Sequence, residues 1–214
     1  MFCLVAGLVM LTGCRDSGSH AFTTQTTVPQ APVETAPAPP PVPSPPPPIT
    51  FTGEPFHVHT AGEVDPAVQE ATRAEVLGTL NRYLETAVLT PLRSGGPAGD
   101  LTPLFTGPAV ERVMTVGPDR FAFIDENLPP VNDVRAESAV AGLNALADPE
   151  GTMSVVTAGL DLRLIGHING ALVRVSRTGE LVLMPEDGAW RIDAYDIRVT
   201  RTLAEDTTVT TVRS

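Results

Sequence analysis

The chain contains no lysine. All fourteen basic residues are arginine, set against 25 acidic ones, for a formal charge of −11 and a pI near 4.7. Such an acidic surface repels phosphate backbones, which argues against a nucleic-acid partner. It repels anionic headgroups too, so charge alone would not hold the folded part on a membrane. Cysteine is almost as scarce: Cys3 and Cys14 are the only two, both near the N-terminus. That excludes a disulfide or a thiolate metal site in the body of the chain. A domain of ~150 residues can bury enough surface without either. Aromatic residues make up only 5%, so the core must be aliphatic, while hydrophobic residues total 42%, enough to build one. Neither Gly-x-Ser-x-Gly nor His-Glu-x-x-His occurs. The glycine-rich RSGGPAGD lacks the Gly-Lys-Ser/Thr ending of a phosphate loop and reads as a connector.

What is present begins with MFCLVAGLVMLTGCRDSGS. Residues 1–12 are almost wholly apolar, yet shorter than the roughly 20 residues that span a bilayer. Their length suits the apolar region of a secretory signal. Leu11, Thr12, Gly13 and Cys14 resemble the bacterial lipobox, an apolar residue and two small ones before a cysteine. In that family the cysteine is acylated, as with palmitate, and becomes the new N-terminus. No arginine or lysine precedes the apolar run, a departure from the usual pattern. The alternative is a plain signal peptide in which Cys14 is incidental. Two or more acyl chains, at ~0.8 kcal/mol per buried CH₂, would hold the chain stably on the outer face of the cell membrane. Residues 1–14 are therefore expected to be a lipoprotein signal peptide ending at lipidated Cys14.

Residues 15–54 read as a flexible, disordered Pro/Thr-rich linker. Eleven of the twenty residues from 29 to 48 are proline, which fixes φ and removes backbone donors. Such a stretch extends as polyproline II at ~3.1 Å per residue, a reach of about 60 Å. A ligand for proline-reading modules is the functional alternative to a spacer.

The folded domain is expected over 55–204, with 205–214 a polar C-terminal tail in which VTTV is a possible added strand. Asp65-Pro66 places a cap before a proline at the first helical position. Val68, Ala71, Leu77, Leu80, Leu84 and Val88 then recur at helical spacing, predicting a helix from Pro66 to Pro91. Shorter helices are expected from Gly107-Pro108, carrying Val110 and Val113, and around Asp119–Asn127. After residue 133 the period becomes two. Val156, Ala158, Leu160, Leu162 and Leu164 share one face, and Asn169-Gly170 signals a hairpin. Val173, Val175, Leu181 and Leu183 share a face of the next strand, which turns at Pro185-Glu186-Asp187-Gly188. In the last strand Trp190 and Ile192 are out of phase with Tyr195, Ile197 and Val199, so a β-bulge is expected near Ala194. Helices followed by long strands mean α+β, with N-terminal helices packed on a curved antiparallel sheet.

The long first helix, the segments LTPLFTGPAV and GPDRFAFIDENLPP, and the closing RTGELVLMPEDGAWRIDAYDIRVTR resemble a nuclear-transport-factor-2-like domain. This is the cone-like half-barrel also used by ketosteroid isomerases and SnoaL-type cyclases. The resemblance is nearest to extracytoplasmic lipoprotein versions, and the fold hosts enzymes and non-enzymes alike. No residue set matches the family's acid–base positions, so no catalytic residue, metal or cofactor is expected. Arg177, in phase with Val173 and Val175, is expected on the concave side. There it would hold a ligand carboxylate or pair with an internal acid. Tyr195 is the second candidate ligand contact, otherwise a core ring. Asp193 and Asp196 are expected in solvent near Arg191 and Arg198. His57 and His59 share a face if extended, a spacing seen in metal sites, but with no third ligand near they read as a surface pair, and His167 as an exposed turn residue. The expected partners are the membrane, through the acyl chains, and an envelope protein or apolar small molecule in the cone. The alternatives are an isomerase- or cyclase-like enzyme and a homodimeric scaffold of a secretion or transport complex.

Overall fold

In a computed structural model of the chain, residues 47–115, 117–126 and 129–203 are described, with the backbone of 206–213. Cys14, the signal segment and the linker up to residue 46 lie outside the described residues. Packing begins earlier than residue 55: Phe51 is buried, its amide donates to Asn81 Oδ1 at 2.7 Å, and Thr52 bridges to Val140. The linker therefore ends short of residue 54, because Phe51 supplies an anchor that the surrounding prolines and threonines hide in the sequence.

The helix opens as expected. Asp65 accepts from the Ala67 amide at 2.7 Å and Pro66 takes the first position of α1, Pro66–Tyr83. A π-helical segment, Leu84–Leu89, follows and runs into α2, Thr90–Ser94, which ends on Gly95 at φ 68°. Leu80, Leu84 and Val88 of the expected stripe are buried, but Val68 and Ala71 are exposed, and Thr72, Val76, Thr79 and Tyr83 face the core in their place. Thr79 can be buried because its hydroxyl donates to the Trp190 carbonyl at 2.8 Å. Pro91 lies inside the continuing helix and carries no N–H for the Ala87 carbonyl four residues back. That oxygen instead accepts the Asp125 amide at 3.0 Å.

A 3₁₀ turn over Thr102–Leu104, α3 (Gly107–Met114) and α4 (Pro118–Phe123) follow. The strands are β1 (Phe56–His59), ahead of the helices, and after them β2 (Asn132–Ala147), β3 (Met153–Ile168), β4 (Ala171–Glu186), β5 (Ala189–Leu203) and β6 (Asp206–Arg213). They form one sheet in chain order. The fold is α+β, and the sheet is mixed, since β1 runs parallel to β2 while the other pairs are antiparallel. The expected all-antiparallel sheet fails here because β1 precedes the helices, which supply the long crossover that a parallel neighbour needs. The C-terminal residues pair with β5 as a strand and are not a loose tail.

The strand phases hold. Val156, Ala158, Leu160, Leu162 and Leu164, with Val173, Val175, Leu181 and Leu183, are buried in the core. Asn169 and Gly170 turn at φ 50° and 86°, and Asp187-Gly188 repeats this at 52° and 75°. Both central residues thus have the positive φ of the tight hairpin turn that matches strand twist. The bulge lies at Asp193, which has no partner between the pairs Val182–Ala194 and Leu183–Ile192. It flips the phase of β5 and brings Tyr195, Ile197 and Val199 to the inner face. Among the described residues no helix is long and apolar enough to cross a membrane.

Candidate functional site

Arg177 sits where its phase put it, fully buried on the inner face of β4. Arg201 extends the inner row of β5 begun by Ile197 and Val199, and its register partner is Val175. The two guanidiniums are therefore diagonal neighbours on one face, close enough for long side chains to meet. Like charges so placed need an anion between them, and Asp125, just after α4, provides it. Arg177 donates to Asp125 Oδ2 from Nε at 3.2 Å and from Nη2 at 2.5 Å. Arg201 donates to Oδ1 from Nε at 2.9 Å and again from Nη2. A carboxylate offers about four lone-pair positions, and all four are taken. Among the described residues Asp125 is the one buried carboxylate and Arg177 the one buried cation.

The rest of Arg177 is held as well. Nη1 donates to the Ala122 carbonyl and to the Tyr83 hydroxyl, which in turn donates to the Phe123 carbonyl at 3.2 Å. Burial raises the Tyr83 pKa and the Asp125 charge adds to this, with Arg177 opposing. For Arg177 itself burial disfavours the charge, but Asp125 and Tyr83 together more than offset it, and the guanidinium stays ionised. The internal-acid alternative is the one realised, with the whole fork engaged by protein groups.

Next to this cluster, Phe123 lies among three rings. Tyr83, Phe105 and Tyr195 stand edge-on to it at centroid distances of 5.5, 5.6 and 4.3 Å. Such pairs add roughly 1 kcal/mol each beyond the area they bury. Tyr195 is half-buried. Its hydroxyl donates to Asp119 Oδ2 at 2.9 Å, and the Arg112 guanidinium covers its ring at 5.4 Å. Burial first, then the Asp119 bond, raises its pKa. An open cleft of about 480 Å³ lies beside it, lined by Glu111, Arg112, Thr115, Gly117, Pro118 and Asp119.

The remaining candidates fall elsewhere. Asp193 is not simply solvated: it accepts from Thr106 Oγ1 at 2.8 Å, and its carbonyl accepts from Arg112. The bulge turns it toward the start of α3, and Arg191 pairs instead with Glu186 and Asp187. Asp196 is exposed opposite Glu180. His57 and His59 are exposed on β1, and His167 is partly exposed near Asp133. Among the described residues no group of three or more His, Cys, Asp or Glu is placed to hold a metal ion.

Sequence reasoning singled out Arg177, Tyr195 and Tyr83 but missed Asp125 and Arg201, which bond in the Arg177 cluster, and Asp119, which bonds Tyr195. Arg201 carried a usable signal, the same in-phase position that marked Arg177. Asp125 carried none, since it follows a short helix with no long period. No family model matches the chain, and no curated protein or solved structure matches it either.

Proposed function

We propose that the chain is an extracytoplasmic lipoprotein, lipidated at Cys14, whose domain is of the nuclear-transport-factor-2-like cone type. In this reading the domain binds an envelope protein or an apolar small molecule and performs no reaction. One observation carries the non-catalytic part: the buried carboxylate has all its lone pairs on guanidinium donors. A general base must offer a free lone pair to a substrate proton, and Asp125 offers none. The anchor rests on the apolar run and Leu11-Thr12-Gly13-Cys14.

The test is phase partition of the full chain made in a bacterium with lipoprotein processing. The wild-type chain is expected in the detergent phase, with mass spectrometry showing an acylated Cys14 at the new N-terminus. Cys14→Ser is expected in the aqueous phase. An unmodified wild-type chain in the aqueous phase would sink the anchor.

A second reading, an isomerase- or cyclase-like enzyme, is favoured by the Tyr195–Asp119 hydrogen bond at the cleft. A proton donor and a carboxylate in contact are an acid–base couple. Exchange of an α-proton of a cyclic ketone into D₂O, lost in Asp119→Asn, would establish it.

A further inference from the structure

We propose that the Arg177–Arg201 clamp is a carboxylate-binding site that the chain fills with its own Asp125, and that an apolar monocarboxylate displaces the segment carrying it. The proposal deepens the binding reading above by naming the ligand class and the groups that recognise it.

The chemistry of the clamp comes first. Each oxygen of one carboxylate is gripped by a separate guanidinium fork, with Tyr83 bridging Arg177 to the Phe123 carbonyl. Two N–H donors of each guanidinium converge on a single oxygen, a multiple grip that arginine's planar group provides and lysine's point charge does not. Two cations face a single anion, so the site holds more positive charge than its occupant neutralises. Arg201 keeps 19% of its side chain exposed, which leaves one side of the clamp open to solvent. A buried ion cluster is also a poor way to gain stability, since apolar residues of similar volume usually do as well.

The occupant resembles a ligand in its second half also. Phe123 fills the ring cage of Tyr83, Phe105 and Tyr195, so the segment presents an apolar body two residues before its carboxylate. The segment joins no strand, and its own backbone docks on the helix through the Asp125 amide at the Ala87 carbonyl. Side chains from α1, β4 and β5 supply the other polar bonds at Phe121 to Asp125. Its root, Gly117 to Asp119, borders the open cleft, so there is room beside it on the solvent side.

A site filled by its own chain shows an affinity reduced by the fraction of time it stands empty. Removing the internal carboxylate should therefore tighten binding of an external one. The experiment measures binding of dodecanoate and 3-phenylpropanoate by calorimetry to the full chain in detergent, with dodecanol as the uncharged control. Asp125→Ala is expected to bind both carboxylates roughly tenfold or more tightly than wild type. Asp125→Ala/Arg201→Met is expected to lose that gain. In the wild-type chain, saturating dodecanoate is expected to speed hydrogen exchange at the amides of Ala122 to Asp125. A folded Asp125→Ala that binds carboxylates no better than wild type overturns the proposal. If that variant fails to fold, the wild-type exchange decides, and unchanged rates at those amides overturn it. Equal affinity for dodecanol and dodecanoate leaves an apolar binding domain standing but removes the clamp as its recognition element.

Discussion

Arg177→Met would leave a fully buried Asp125 with Arg201 as its one charged partner among the described residues. Breaking a buried pair from one side costs about 3 kcal/mol or more, because the remaining charge stays desolvated. Urea unfolding followed through Trp190, the one tryptophan and a buried one, should report that loss. Arg177→Met/Asp125→Leu is expected to recover much of it, since the stranded anion is gone. Equal losses in the single and double variants would show that packing around the guanidinium, and not its charge, dominates. The same residues show what a sequence can reveal. Arg177 was legible because a strand alternates faces and its neighbours were plainly apolar. Arg201 was equally legible once the slip at Asp193 was allowed for. Asp125 was not, because its partners lie 52 and 76 residues further along the chain. Its burial is fixed by tertiary contacts alone.

At the level of elements, the turn chemistry was clear and the crossings were not. Asn169-Gly170 and Asp187-Gly188 specify tight hairpins from two residues each. The parallel β1 alternates over only four residues, too few to announce a strand alone, and its place comes from pairing with Leu143 to Leu146. Gly179 marks another local demand on the chain. Its φ is +141°, and an added Cβ would fall 2.0 Å from the Asp196 carbonyl oxygen on β5. Gly179→Ala must therefore part β4 from β5 beside the arginine pair. The expected cost is about 3 kcal/mol, combining backbone strain and the lost ladder contact, read as a lower unfolding midpoint. An unchanged midpoint would mean that the kink at Gly179 relaxes freely.

For the whole molecule, alkaline pH is the informative axis because the chain has only two tyrosines. Burial raises both pKa values, with Asp125 adding to Tyr83 and Asp119 to Tyr195. The folded state then holds these protons more tightly than the unfolded chain, whose tyrosines titrate near 10. Their contribution is fully present below about pH 10 and lost as pH rises through the elevated values. Absorbance at 295 nm should show no tyrosinate in the native chain below about pH 10, with a late step coincident with unfolding. Tyr83→Phe should shrink that late step to the share of Tyr195 alone. A Tyr83 that ionises freely in the folded chain would contradict its burial.

The missing amide at Pro91 has a wider reach than the helix that contains it. Because the ring nitrogen cannot donate, one carbonyl of the helix is released to fasten a loop from another part of the chain. Pro91→Ala would return a competitor for that oxygen, setting the regular helical turn against the loop. Amide exchange at Asp125 would then quicken while the sheet amides kept their protection. One imino acid in the helix would thus govern how firmly the carboxylate is seated between its two arginines.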